Sequence, residues 1–286
     1  MEKTNGWING FIGVVMFAGS LPATRVAVAD LNPMFLTCAR ASIAASLGLA
    51  LLLLLRQRRP HAADMPSLAL TAVGCVVGYP LLSALALQHV TSAHSMVFVG
   101  LLPLCTAIFA VLRGGERPRP VFWLFSIIGS AFVVGYAALT GIHASPLGDL
   151  LMLAAVMVCG LGYAEGARLS RELGGWQVIS WALVLSLPIM LPMALLTMPS
   201  SLGHVSAQAW IGLAYVSLFS MLIGFVFWYR GLAQGGIAAV GQLQLFQPFM
   251  GLALAALILH EKVSWMMLVV TLGTVVCVAG AKNYAR

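Results

Sequence analysis

Chemistry in this chain has to begin with a few polar side chains set inside long apolar runs. Arg40 lies seven residues into the run that starts at Pro33, roughly 10 Å deep at about 1.5 Å per residue. A guanidinium there can hold a substrate carboxylate, gate a pathway, or serve structure by bonding carbonyls. Glu165 is the candidate deep carboxylate, and Arg168 three residues on shares its helical face. It is either a paired interfacial group or a proton-coupling one whose titration burial would move toward neutrality. Arg40 and Glu165 are therefore the coupling or gating candidates.

Substrate contacts are sought among uncharged groups. Gln242, Gln244 and Gln247 crowd just before Pro248, and amides can bind both ends of a zwitterion at modest desolvation cost; helix–helix hydrogen bonding is their other use. Tyr79, Pro80 and Ser83 form a polar break in another run, with Tyr79 and Ser83 four apart on one face. Tyr163, Trp228 and Tyr229 could stack on an aromatic cargo, although Trp and Tyr at span ends commonly anchor the interface. His94, preceded by His89, titrates near neutrality and is a further candidate. The substrate set is thus Tyr79, Ser83, His94, Tyr163, Trp228, Gln242, Gln244 and Gln247.

Other chemistries lack their motifs. There is no G-x-x-x-x-G-K-[ST] loop for ATP and no G-x-S-x-G elbow, and His260-Glu261-Lys262 lacks the second histidine of a zinc site. Cys38, Cys75, Cys105, Cys159 and Cys277 fall inside apolar runs at spacings that suit neither zinc nor a disulfide framework. They read as small buried hydrophobes. An enzyme, a cofactor and a bound metal are not expected.

The elements that hold these residues are membrane helices. Of 286 residues, 61% are hydrophobic and 8% charged, against about 25% charged in soluble domains. Ten apolar segments are expected near 7–28, 33–55, 67–87, 92–112, 120–140, 148–168, 176–197, 207–229, 236–259 and 264–282, each close to the ~20 residues that cross a bilayer. They are continuously apolar and do not alternate, so they read as helices and not barrel strands. The N-terminal run is broken by Gly6, Gly10, Gly13 and Pro22 and reads as an uncleaved first span.

With the N-terminus inside, Lys3, Arg56, Arg58, Arg59, Arg113, Arg117, Arg119, Arg168, Arg171, Arg230, Lys282 and Arg286 fall on one side, leaving Arg25 and Lys262 outside. The positive-inside bias then places both termini in the cytoplasm. The net charge of +7 is topogenic and needs no nucleic-acid partner.

The chain also repeats itself. An offset of 145 lays Leu87 on Leu232, Ala93 on Ala238, Pro103 on Pro248, Glu116 on Glu261 and Gly135 on Gly280. Two units follow, residues 1–145 and 146–286. Five spans in each make them antiparallel, the arrangement that gives alternating access. Glu116 and Glu261 close their helices and read as capping groups. The glycine pairs Gly6/Gly10, Gly162/Gly166 and Gly231/Gly235 mark close helix approach. The oligomeric state stays open between a monomer and an assembly through such glycines.

Ten spans, the repeated proline–apolar run–glutamate pattern, Gly135/Gly280, and Pro33 followed by Arg40 resemble the EamA-type transporters of the drug/metabolite transporter superfamily. Within it the chain is most similar to bacterial inner-membrane amino-acid exporters, notably the aromatic amino-acid group. The resemblance implies an all-α integral membrane protein of two inverted five-helix repeats, with a mid-membrane site lined by spans one, three, four, six, eight and nine. It implies small-molecule export by alternating access in the inner membrane: amino acids, including aromatic or large apolar ones, or alternatively drug-like compounds and other metabolites, with proton coupling open.

Overall fold

The computed structural model describes residues 2–90, 95, 98–141, 145–199, 202–247, 249–251, 253–254 and 265–285, and all regular structure among them is helical. His94, Pro248 and Glu261 lie outside the described residues. The helices are α1 (Glu2–Ala18), α2 (Ser20–Ala27), α3 (Pro33–Leu54), α4 (Met65–Thr71), α5 (Tyr79–His89), α6 (Leu102–Leu112), α7 (Pro120–Gly141), α8 (Pro146–Leu173), α9 (Gly175–Leu196), α10 (Ala207–Tyr215), α11 (Gly224–Gly235), α12 (Ile237–Gly241) and α13 (Trp265–Tyr284). Six continuous stretches among the described residues are long and apolar enough to cross a membrane: Asn5–Ala27, Pro33–Leu54, Ala62–His89, Pro146–Leu173, Gly175–Leu196 and Ala207–Gly235. Leu102–Leu112 and Pro120–Gly135 are shorter apolar helices. The chain is a multi-pass membrane protein.

Several spans are broken, and the breaks have local causes. The turn at Gly19 divides α1 from α2 just before Pro22, which has no N–H for the preceding turn. Ala72–Gly78 joins α4 to α5 as a π-helix, and Val216–Ile223 joins α10 to α11 in the same way. Tyr79 N–H donates to the Gly74 carbonyl and Gly224 N–H to that of Phe219, each five residues back. The wide turn requires glycine: a Cβ would stand 2.5 Å from the Val73 oxygen at Gly78 and 2.6 Å from the Phe219 oxygen at Gly224. Gln242–Phe246, following α12, is a 3₁₀ helix.

Small residues set the packing. Helix α1 crosses α11 with backbones almost touching, so a Cβ on Gly231 would fall 2.5 Å from the Gly10 nitrogen and one on Gly6 2.6 Å from the Gly235 nitrogen. Helix α3 lies along α9, α5 and α6 along α8, and α7 along α13. The span predicted to end at Tyr229 continues to Gly235, so Trp228 and Tyr229 sit inside the bundle, both at 0% exposure, and not at an interface. A tryptophan is fully desolvated there because α1 supplies glycine at Gly10 and Gly13 against it.

The arginine-rich ends are tied together by Glu116. Its carboxylate accepts from Ile237 N–H at 2.7 Å and Ala238 N–H at 2.8 Å, capping α12, and from Arg171 Nη2 at 2.9 Å. The capping role expected of Glu116 is present, but it serves a helix 121 residues away. Gly236, the N-cap of α12, has no side chain to do the work. Glu116→Ala is expected to lower stability by about 1–2 kcal/mol, read as a fall in unfolding temperature of the purified protein. At the opposite end the Ser206 hydroxyl, and after it the Ser206 N–H at 2.9 Å, hold the Asp30 carboxyl below the ordinary aspartate value.

Candidate functional site

The interrupted helices carry several of the buried polar groups, among them Ser20, Ser83, Ser220 and the three glutamines. Helical irregularity at membrane depth is tolerated where protein or a cavity satisfies it, and π turns concentrate at functional sites. Ser20, first residue after the Gly19 break, donates its hydroxyl to Ser220 Oγ at 2.7 Å, and Ser220 belongs to the Val216–Ile223 π turn. Arg40 Nη2 donates to the same Ser220 oxygen at 3.1 Å. Arg40 is buried, its Nε has no partner, and among the described residues it forms no ion pair. Tyr79 stands within electrostatic range of both Arg40 and Tyr163.

An aromatic cage surrounds Tyr163. The Tyr163 ring is 5.4 Å from Trp228, 5.8 Å from Phe225 and 6.5 Å from Phe17, and Phe17 lies 6.2 Å edge-on to Trp228. The Tyr229 hydroxyl lies 3.2 Å from the Gly162 carbonyl, to which it can donate, and 3.3 Å from Cys75 Sγ. Cys75 and Cys159 are buried in the same core beside Tyr163. These thiols are the small buried groups the sequence suggests, and they pack at the contact between the Ala72–Gly78 turn and α8.

The glutamines divide between two surroundings. Gln242 Nε2 donates to Ser126 Oγ at 3.1 Å on α7, whereas Gln247 Nε2 reaches the Phe17 carbonyl at 3.4 Å on α1. Gln244 precedes Gln247 by one 3₁₀ turn and shares its edge. Its amide is fully buried with neither end bonded, and the Oε1 atoms of Gln242 and Gln247 and the Trp228 indole N–H are likewise unpartnered. An unbonded polar group in a protein interior costs about 1–3 kcal/mol. These groups, divided between the Ser126 side and the Phe17 side, are left without protein partners. Tyr79, Tyr163, Trp228, Gln247 and Arg40 are thus brought to one region. Ser83 is not free in this way, because it donates back to the Pro80 carbonyl at 3.2 Å. Ser20, Ser220, Phe17 and Phe225 were missed by the sequence reading. Serine and phenylalanine are ordinary in apolar helices, and Pro22 beside Gly19 was the one local sign.

Glu165 lies toward the arginine-rich end, at 0% side-chain exposure. Arg168 Nη2 donates to it at 3.1 Å as the spacing suggests, and Arg113 Nε donates to its other oxygen. Arg168 also reaches Ser67 on α4. Glu165 therefore locks three spans together. Glu165→Gln is expected to lower stability by about 1–2 kcal/mol, less than for a fully buried pair, because Arg113 and Arg168 are 48% and 43% exposed and can turn to water. Thermal unfolding checks this.

Around that end open cavities of about 330 Å³, bounded by Glu116, Arg117, Arg171 and Gln234, and about 400 Å³, bounded by Trp176, Arg230 and Gln234. The charged cavities, the Glu165 ion pairs and the aromatic cluster thus lie on one helical bundle. The EamA-like transporter family matches the chain twice, over residues 4–137 and 146–281. The chain belongs to that family. It is 65% identical over 285 residues to "Uncharacterized transporter YdeK" of Bacillus subtilis, covering 100% of this chain and 99% of that one. It is 28% identical over 245 residues to a "Probable terminal-alkyne amino-acid exporter" of Streptantibioticus cattleyicolor, covering 82% and 79% of the two chains. A solved crystal structure 20% identical in sequence superposes with a TM-score of 0.79 over 99% of this chain and 98% of that one, a likeness of fold. The molecule is an EamA-type transporter.

Proposed function

We propose that this transporter exports amino acids, including aromatic or large apolar ones, by alternating access of two inverted five-helix repeats, residues 1–145 and 146–286, across the cell inner membrane with both termini in the cytoplasm. The observation that carries the cargo assignment is Arg40, a buried guanidinium that forms no ion pair among the described residues, in a bundle that also holds the Tyr163–Trp228 aromatic cage. A substrate carboxylate would complete Arg40, its side chain would enter the Phe17–Tyr163–Phe225–Trp228 cage, and its amino group would meet unpartnered amide oxygens such as that of Gln244. The cage gives aromatic side chains more than area, since offset and edge-on ring pairs add about 0.5–1.5 kcal/mol each. An exporter of this kind among the relatives supports the class of cargo.

The helix contacts support the inverted repeat. Exchanging the halves turns the α1–α11 contact into that between α8 and the α4–α5 span, while α3–α9, α7–α13 and α6–α12 map onto themselves. The π turns at Ala72–Gly78 and Val216–Ile223 also correspond at the offset of 145. The Glu165 and Glu116 ion pairs are the gate of one access state, broken when the arginine-rich end opens. With both oxygens of Glu165 already held by arginine, gating is favoured over proton carriage for this residue.

The test is uptake of labelled amino acids into liposomes containing the pure protein, with and without a proton gradient. Saturable uptake of phenylalanine, tyrosine or leucine is expected. Absence of amino-acid uptake by folded protein, with movement of drug-like amphiphiles instead, would replace this reading.

A further inference from the structure

The arginine-rich end holds a second cationic site, away from the central passage. Helix α3 ends at Leu54, and Arg56, Arg58 and Arg59 then form one wall of a cavity of about 440 Å³. Glu172 at the end of α8 and Trp181 on α9 stand on the other side, with His61 at the rim. Among the described residues none of the three arginines forms an ion pair. Three arginines facing one carboxylate leave the wall net positive.

Two features separate this cavity from scattered topogenic charge. The first is the backbone at Arg56. Arg56 N–H donates to the Leu53 carbonyl at 3.1 Å and Gln57 N–H to that of Leu52 at 2.9 Å, a Schellman turn with Arg56 in the left-handed position at φ 49°. Glycine takes that place without strain, so an arginine held there points to a use for its side chain. The second feature is the neighbouring surface. Leu53, Leu54 and Leu55, immediately before the cavity, are 68%, 78% and 56% exposed, and Trp181 beside it is half-buried. On a membrane protein such leucines face acyl chains, and tryptophan marks the headgroup level.

We infer that this cavity binds the headgroup of an anionic glycerophospholipid from the adjoining leaflet. The phosphate lies among Arg56, Arg58 and Arg59, and the acyl chains run along Leu53 and Leu54. Basic pockets between spans suit such headgroups. A free phosphate would use the arginines and gain nothing from the leucines, so the apolar flank selects the lipid.

The experiment titrates the full-length protein in detergent with phosphatidylglycerol and, separately, phosphatidylcholine, counts bound lipid by native mass spectrometry, and follows thermal unfolding of the same samples. Saturable phosphatidylglycerol binding with a raised unfolding temperature is expected, and phosphatidylcholine should give neither. Each of R56Q, R58Q and R59Q should weaken phosphatidylglycerol by about fivefold, and the triple variant by on the order of a hundredfold. R56G guards against misfolding: it removes charge and backbone strain together. It should unfold in phosphatidylcholine at the original temperature or above, yet bind phosphatidylglycerol about fivefold more weakly. Unchanged phosphatidylglycerol affinity in the triple variant would overturn the assignment. So would inorganic phosphate displacing phosphatidylglycerol at matched concentration, which would make the site one for a free anion.

Discussion

Arg40→Leu is expected to abolish amino-acid uptake while raising the temperature at which the protein unfolds. The two effects run in opposite directions because, among the described residues, no anion compensates the Arg40 charge. Burial removes its hydration, and the structure returns one hydrogen bond to Ser220 and the proximity of Tyr79. Replacing such a group by an apolar one of similar volume relieves the desolvation penalty. Ser220 keeps the Ser20 hydroxyl, so no new orphan is made there. A bound carboxylate would lose its counter-charge, which costs about 2–5 kcal/mol, or roughly thirty- to several-thousandfold in affinity. Arg40→Lys keeps the charge without the planar fork and should fall between. Proteoliposome uptake and thermal unfolding on the same preparations decide the matter. Full transport by Arg40→Leu would make Arg40 structural, and so would a fall in its unfolding temperature.

Gly231→Ala should be among the most destabilising single-methyl additions at the described residues. The added carbon would stand 2.5 Å from the Gly10 nitrogen, 2.7 Å from its Cα and 2.9 Å from the Gly6 carbonyl oxygen. Those are backbone atoms, so no side chain can swing aside, and α1 has to move away from α11. Overpacking of this kind costs about 3 kcal/mol. The displacement would also loosen Trp228 from Gly10 and Gly13 and open the aromatic cage. Gly115 is the control: φ is +67° there, but nothing lies within 4 Å, so Gly115→Asn should be nearly silent. Unfolding of both variants in one detergent measures the difference; equal stability would mean that α1 and α11 slide freely.

Much of the candidate site could be named before any helix was placed. Arg40, Tyr79, Tyr163, Trp228 and the three glutamines were visible because a polar or aromatic group within an apolar run is expensive and therefore conspicuous. Tyr79-Pro80 with Ser83 read as a polar break, and the structure places a π turn, Ala72–Gly78, immediately before it. Its counterpart at Val216–Ile223 carries no proline, and Gly224 is one glycine among 29. Trp228 and Tyr229 read equally well as anchors, since their depth depends on where the span ends, and α11 continues to Gly235 past the polar Arg230.

The sequence by itself determined the solvent, the helical class and the family, because each is a property of local runs: about 20 apolar residues can satisfy their backbone in lipid only as a helix. The tertiary structure decided which groups meet. Glu116 caps α12 from 121 residues away, Arg113 reaches Glu165 across 52, and Ser20, Arg40 and Ser220 converge from three separate spans. Such meetings depend on crossing distances set by glycines on both partners. A pattern along one helix fixes the face a residue shares but not the neighbour that face will find.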